Sequence, residues 1–200
     1  MSWITSIDAL EEMFAAPPEA AIVKVTRRLT PAYQRWIETS RFCLLSSVGP
    51  EGTDGTPRGD DGPVVQVMDP GTLLMPDWRG NNRIDTLRNI VRDGRVSLAF
   101  FVPGSNTVIR VNGTARLSTD PALCGRFEQA GRNPRLVIVV AIAEVYAQCA
   151  RALIRAGLWS RDDSGQLPTV GTMLSEITEG AFNGADYDRE WPARAAASMW

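Results

Sequence analysis

Arg95-Val96-Ser97-Leu98-Ala99-Phe100-Phe101-Val102, Pro103-Gly104-Ser105-Asn106 and Thr107-Val108-Ile109-Arg110-Val111-Asn112-Gly113-Thr114-Ala115-Arg116-Leu117 follow one another without a break, and this stretch decides the fold. Two runs rich in β-branched and aromatic residues flank a cluster of turn formers, the signature of an antiparallel hairpin. A crossover to a parallel neighbour would need about a dozen residues or more. On one side, Pro63 to Met68 and Thr72 to Met75 flank Asp69-Pro70-Gly71, a second hairpin whose turn residues each have a mechanism. Phe42 to Val48 is ended by Gly49-Pro50, and the glycine-rich turn to Gly55 carries the chain back toward another strand. On the other side, Leu136 to Val145 is a long β-branched strand.

Helical signals interrupt the strands. Ile7, Leu10, Met13 and Phe14 recur at helical spacing from Ser6 to about Ala16, where Pro17-Pro18 stops the pattern. Thr30-Pro31 starts a helix to Ser40, with threonine as N-cap and proline at the first helical position. Ile84 to Val91 reads as a helix capped by Asn81 and Asn82, Thr119-Asp120-Pro121 opens one to about Ala130, and Ala147 to Leu158 carries Arg151 and Arg155 on one face. A weak helix spans Thr172 to Ile177, and the last twenty residues read as a loosely attached tail. The expected class is α+β: an antiparallel sheet or barrel of six or so strands with helical additions. We divide the chain into an N-terminal helical segment packed on the barrel (1–40), the barrel domain (41–160) and a C-terminal extension (161–200).

Composition narrows the chemistry. With 44% apolar and 22% charged residues among 200, the chain reads as a globular domain able to bury roughly 70% of its unfolded surface without metal or disulfide staples. Net charge −2 offers no general attraction to nucleic acid or anionic lipid. The count of zero histidines removes Ser-His-Asp and Cys-His catalysis and most metal centres. Lys24 is the only lysine, and its apolar setting lacks the glycine-rich approach of a phosphate loop. Cys43, Cys124 and Cys149 are an odd count at wide spacing, which suits buried thiols in a reducing cytosol. The N-terminal residues lack the pattern of a secretory signal and no apolar run reaches bilayer length, so a cytoplasmic location is expected.

Three segments could carry chemistry. Asp77-Trp78-Arg79-Gly80-Asn81-Asn82-Arg83 follows a strand end and enters a helix, so backbone N–H groups, Asn82 and Arg83 can present donors to a phosphate; the same residues also suit a capped helix with a surface arginine. Thr56-Pro57-Arg58-Gly59-Asp60-Asp61-Gly62 is a polar, kinked segment between strands where Arg58 could share a phosphate or cover a ring and Asp60 could orient it, or where a plain surface turn lies. Arg151, Arg155 and Trp159 follow one helix face, suited to stacking on a flat ligand or a partner subunit, or to an ordinary amphipathic helix.

Pro57-Arg58-Gly59-Asp60, Thr72-Leu73-Leu74-Met75-Pro76-Asp77, Gly80-Asn81-Asn82-Arg83 with Leu87-Arg88-Asn89-Ile90, and Arg110-Val111-Asn112-Gly113 together resemble the pyridoxamine 5'-phosphate oxidase-like FMN-binding family. Ser118-Thr119-Asp120-Pro121 and Ala152-Leu153-Ile154-Arg155 with Leu158-Trp159 resemble one bacterial branch of it. The resemblance spans Phe42 to Leu174 and implies a split β-barrel, a homodimer and FMN bound at the subunit interface. Asn81-Asn82-Arg83 stands where the oxidases have a Ser-Arg-Lys triplet that helps hold the FMN phosphate, with Leu87 at the matching offset. The strand residues that line the flavin fall on Gln66, Val67, Met75 and Pro76, and Val108 replaces a glutamine that touches the ring system. Arg58, Gly59, Asp60 and Asp77 would add cofactor contacts, and Arg155 with Trp159 would reach across from the other subunit.

The oxidases end in a segment bearing arginine and histidine that recognises the vitamin phosphate. A chain without histidine is therefore not expected to oxidise pyridoxamine phosphate. The resemblance implies an FMN-dependent oxidoreductase acting on an unidentified small molecule, with a non-catalytic flavin-binding or storage protein as the alternative. A plain interaction module, docking a partner through the arginine-edged helix, is a third reading.

Overall fold

The structure, a computed structural model, describes residues 2–200. Its strands in chain order are β1 (Phe42–Gly49), β2 (Gly52–Gly59), β3 (Gln66–Asp69), β4 (Thr72–Pro76), β5 (Arg95–Phe101), β6 (Val108–Ser118) and β7 (Val137–Gln148). The helices are α1 (Ile7–Glu11), α2 (Glu19–Val23), α3 (Pro31–Thr39), α4 (Asp85–Arg92), α5 (Pro121–Cys124), α6 (Arg151–Ala156), α7 (Val170–Ile177) and α8 (Gly184–Ala197).

The deciding hairpin forms as expected: β5 pairs antiparallel with β6 from Arg95↔Thr114 to Phe100↔Ile109. Val96, Leu98 and Phe100 alternate inward along β5, the half-buried pattern of an antiparallel sheet with one covered face. All seven strands join one sheet in the order β2-β1-β5-β6-β7-β4-β3, and every pairing is antiparallel. β1 lies near one end of that order and β4 near the other, yet Cys43 and Leu45 share one apolar cluster with Leu73 and Met75. The sheet therefore curls around a common interior while its edge strands β2 and β3 stay unpaired with each other, which is a split barrel. Phe100, Leu45, Leu73, Leu98 and Ile138 are fully enclosed there.

One backbone irregularity is built in by a glycine. The β6–β7 register shifts between Asn112 and Gly113, and a Cβ on Gly113 would overlap the Ala141 carbonyl. Only glycine allows the two backbones this close.

α3 starts as read, with Thr30 Oγ1 accepting from the Tyr33 amide at 3.2 Å and Pro31 in the first turn. Its Ile37 is fully buried, with Tyr33 and Trp36 packed against the barrel core. Elsewhere the boundaries move. α1 is only Ile7–Glu11, α2 is an additional helix, and neither buries a residue, so the helix that packs on the barrel ahead of β1 is α3. β2 begins at Gly52, immediately after the turn, because the glycines at 52 and 55 do not stop an edge strand that β1 hydrogen-bonds along its whole length. Arg58 and Gly59 are thus strand residues rather than a kinked connector. β7 extends to Gln148 and takes residues 147 and 148 from the expected helix, which shrinks to Arg151–Ala156; the helix opened by Pro121 ends at Cys124.

The last twenty residues are not a loosely attached tail: most of them form α8, which packs on α7. α8 crosses α7 where Gly171 and Gly184 meet so closely that a Cβ on either would overlap the other's backbone, and Asp188 Oδ1 accepts from the Gly171 amide at 2.8 Å. Asn183 caps α8 by accepting from the Asp186 amide at 3.1 Å.

The three thiols divide, correcting the expectation that all are buried: Cys43 and Cys124 are, and Cys149 is exposed. Burial pushes the Cys43 thiol from about 9 up to about 12, with nearby Arg58 pulling weakly the other way. This thiol stays protonated in the fold but ionises earlier in the unfolded chain. Its contribution to stability is intact below about pH 9 and is lost as pH rises toward 12. Native protein at neutral pH is expected to show rapid alkylation at Cys149 alone, read by mass spectrometry; rapid labelling of Cys43 would contradict the packing of β1.

Candidate functional site

β2 presents Asp54, Thr56 and Arg58 to the side on which β1 places Ser47, Leu45 and Cys43, since these residues are direct cross-strand partners. An interior face that is apolar elsewhere becomes polar here. α4 closes over it: the Thr86 and Thr56 hydroxyls lie 2.7 Å apart, Asp54 Oδ2 accepts from Thr56 at 3.0 Å and from Thr86, and Asn89 donates to Ser47 Oγ at 3.1 Å. Gly49 leaves the space that the Asn89 side chain fills.

At one end of this face, Arg58 Nη1 meets Asp77 Oδ1 at 2.6 Å, with the two side chains only 18% and 21% exposed. The Nε–H of Arg58 is buried with no acceptor. A charged donor left unsatisfied costs several times a surface contact, so it marks a place where an acceptor belongs. Two positions further along the chain, Asp60 accepts three hydrogen bonds: Oδ2 from Trp78 Nε1 at 2.7 Å, and Oδ1 from Gln129 Nε2 at 2.9 Å and the Asp61 amide at 2.7 Å. The Trp78 ring meets Trp200 edge-on at 5.6 Å, and Arg132 donates to the Trp200 carbonyl at 2.9 Å.

At the other end, the start of α4 and the β1–β2 turn enclose a cleft of about 340 Å³ lined by Thr53, Asp54, Arg83, Asp85, Arg88 and Arg92, among others. Asp54 and Arg58 are four steps apart along the strand, roughly 14 Å at about 3.4 Å per residue. Asn81 and Asn82 do not cap α4, as the sequence suggested. Asn81 Oδ1 accepts from the Arg83 amide at 3.0 Å, and Asn82 adopts φ 60°, a left-handed turn that asparagine tolerates. The residue before the helix is Ile84, which has no capping side chain, so the first amides of α4 lack a side-chain acceptor. Arg83 meets Asp85 at 3.0 Å and Arg92 meets Glu51 at 2.6 Å; both are exposed pairs worth little, and an incoming anion can displace them.

The remaining sequence-derived positions fall into two groups. Gly59 ends β2 opposite Phe42, while Gln66 and Val67 are neighbours on edge strand β3 and point to opposite faces: Gln66 exchanges hydrogen bonds with Arg126, and Val67 packs on the core. Met75 lies inside the barrel and Pro76 is buried opposite Val137. The second group sits at the β5–β6 turn: Val108 is buried as β6 begins, and Trp159 donates from Nε1 to the Ser105 carbonyl at 2.7 Å. Arg155 is exposed on α6. Asp54, Thr56, Thr86 and Gln129 were missed as site residues. Alternation over Asp54, Thr56 and Arg58 was a readable signal for the first two; Gln129 arrives from 69 positions beyond Asp60 and had none.

The donor set fits an elongated ligand with an anionic end: unpaired helix amides and exchangeable arginines at α4, and an acceptor-seeking guanidinium at Arg58. A profile described as pyridoxamine 5'-phosphate oxidase matches residues 29–149, more than half of the chain and all seven strands. The chain belongs to the pyridoxamine 5'-phosphate oxidase family. Members of this family typically bind flavin and include oxidoreductases, and the split barrel agrees with that membership. No match was found among curated proteins. Similar solved structures include HupZ of Group A Streptococcus (18% identical, 60% of this chain and 93% of that one, TM-score 0.49). A Lactobacillus delbrueckii protein bearing the oxidase's name is 23% identical over 60% of this chain and 95% of that one, TM-score 0.49. An F420 reductase is 17% identical over 58% and 98%, TM-score 0.45. At these values the overlaps add nothing to the family match. Among the described residues, no helix is long and apolar enough to cross a membrane.

Proposed function

We propose that this protein binds FMN at the interface of a homodimer and is a cytoplasmic oxidoreductase acting on a small molecule other than pyridoxamine phosphate. The observation that carries the reading is Arg58, a guanidinium held by Asp77 on one side with a buried Nε–H free for a ligand acceptor. Asn81, Asn82, Arg83 and the first amides of α4 would take the phosphate. Arg58, Gly59, Asp60 and Asp77 would hold the polar edge, Gln66, Val67, Met75 and Pro76 the flat face. Val108 would border the ring system, and Arg155 with Trp159 would reach the second subunit's flavin. The unit that does this is residues 41–160, flanked by 1–40 and 161–200.

FMN, when bound, supplies acceptance and return of an electron pair. The chain's own residues position and seal. Asp77 fixes the Arg58 guanidinium, and Asp60 fixes the Trp78 indole. Both carboxylates hold donors, and the chain has no histidine. That observation favours the second reading, a flavin-binding protein without turnover of its own. Freshly purified protein is expected to show flavin absorbance, or to acquire it with added FMN; colourless protein that binds no FMN would end the proposal. Anaerobic reduction by NADH or NADPH, then a screen of electron acceptors, separates enzyme from store.

A further inference from the structure

Residues 3–23 form an arm that the fold leaves uncovered. Trp3 and Phe14 are 78% and 70% exposed, and Ile7, Met13, Ile22 and Val23 are also exposed. α1 and α2 bury nothing, and the chain first joins the barrel at the Thr26–Val145 bridge. A lone soluble chain rarely leaves so many large apolar side chains in water along one segment. The arm is also wholly acidic: Asp8, Glu11, Glu12 and Glu19 stand in it with no arginine or lysine.

The opposite surface exists on the same chain. α6 exposes Ile154, and Leu158 and Trp159 follow it; Arg151 and Arg155 flank this apolar patch with no acid between residues 150 and 159. Arg161 has Asp163 as a partner, whereas Arg151 and Arg155 pair with no carboxylate among the described residues. An acidic apolar arm and a basic apolar helix, both unpartnered on one polypeptide, satisfy the condition for an isologous contact, in which each copy gives its arm and receives the other's. We infer that the occupant of the α6 face is the arm of a second copy of this chain, with Glu11 and Glu12 facing Arg151 and Arg155. This goes beyond the proposed flavin homodimer, which requires two subunits but no exchange of arms.

The test uses full-length chains. One variant carries Glu11→Arg with Glu12→Arg, the other Arg151→Glu with Arg155→Glu, and the dimer dissociation constant is read by analytical ultracentrifugation. Each variant alone has two repelling contacts and is expected to dissociate about tenfold or more readily than the unaltered chain. Mixed in equal amounts, they form heterodimers in which both contacts are complementary, and the dissociation constant is expected to return close to the original. A mixture that behaves as the average of its components, as it would if each arm folded back on its own α6, overturns the inference; so do single variants that dissociate like the unaltered chain, and an unaltered chain that is monomeric. Flavin absorbance, read on the unaltered chain and on the Glu11→Arg, Glu12→Arg variant, whose changes lie outside the residues assigned to flavin, keeps the proposals apart. Retained flavin in both with failed rescue removes the arm exchange alone, and rescued pairing with a colourless unaltered chain removes the flavin reading alone.

Discussion

Phe100→Ala is expected to cost about 3–5 kcal/mol of folding stability, the range for deleting a fully buried aromatic ring and leaving a cavity. Phe100 is completely enclosed, pairs with Cys43 on β1 and Ile109 on β6, and belongs to the cluster that joins the two ends of the sheet. Its two strand neighbours are held in place by their hydrogen-bond register and relax little into the void. At roughly 2–4 °C per kcal/mol for a chain of this size, the melting temperature should fall by about 6–20 °C. Chemical denaturation measures the loss, and a change under about 1 kcal/mol would mean that the barrel does not close around this ring.

Arg58→Leu is expected to be the most damaging single change to cofactor binding. It removes the guanidinium that Asp77 orients and, with it, the buried Nε–H that has no acceptor in the protein. A hydrogen bond from a charged donor contributes about 1.5–3 kcal/mol, so FMN affinity should weaken roughly ten- to 150-fold, measured by quenching of flavin fluorescence. Arg58→Lys keeps the charge but not the planar fork, and should recover only part of the loss. Unchanged affinity in both variants would move the ligand away from β2.

The strand content was readable because hairpins are local events. The Asp69-Pro70-Gly71 and Pro103-Gly104-Ser105-Asn106 turns and the alternation of Val96, Leu98 and Phe100 name their strands without reference to distant chain. Thr30-Pro31 is equally self-contained, and α3 begins there. The candidate site was readable in part for a different reason: Arg58 beside glycine and Arg83 beside asparagine are donors suited to an anion, although the same patterns suit a surface turn and a capped helix and the sequence misjudged both settings. Asn81 and Asn82 illustrate the limit. Asparagine before a helix suits a cap, but it also suits a left-handed turn, and which of the two forms depends on where the chain leaving Asp77 must go.

Sequence by itself determined that this chain folds as antiparallel hairpins with α-helical additions, that it has no histidine chemistry, and that its family is one of flavin binders. Tertiary structure alone decided that Asp60 is locked by Trp78 and Gln129, that Arg58 faces Asp77 with a donor to spare, and that the final helix packs on α7 through two glycines. Local propensity acts over a few residues and is written in their order. Partners 19, 18 and 69 positions apart, as in Arg58–Asp77, Asp60–Trp78 and Asp60–Gln129, meet only after the sheet has curled, and nothing in either segment names the other beforehand.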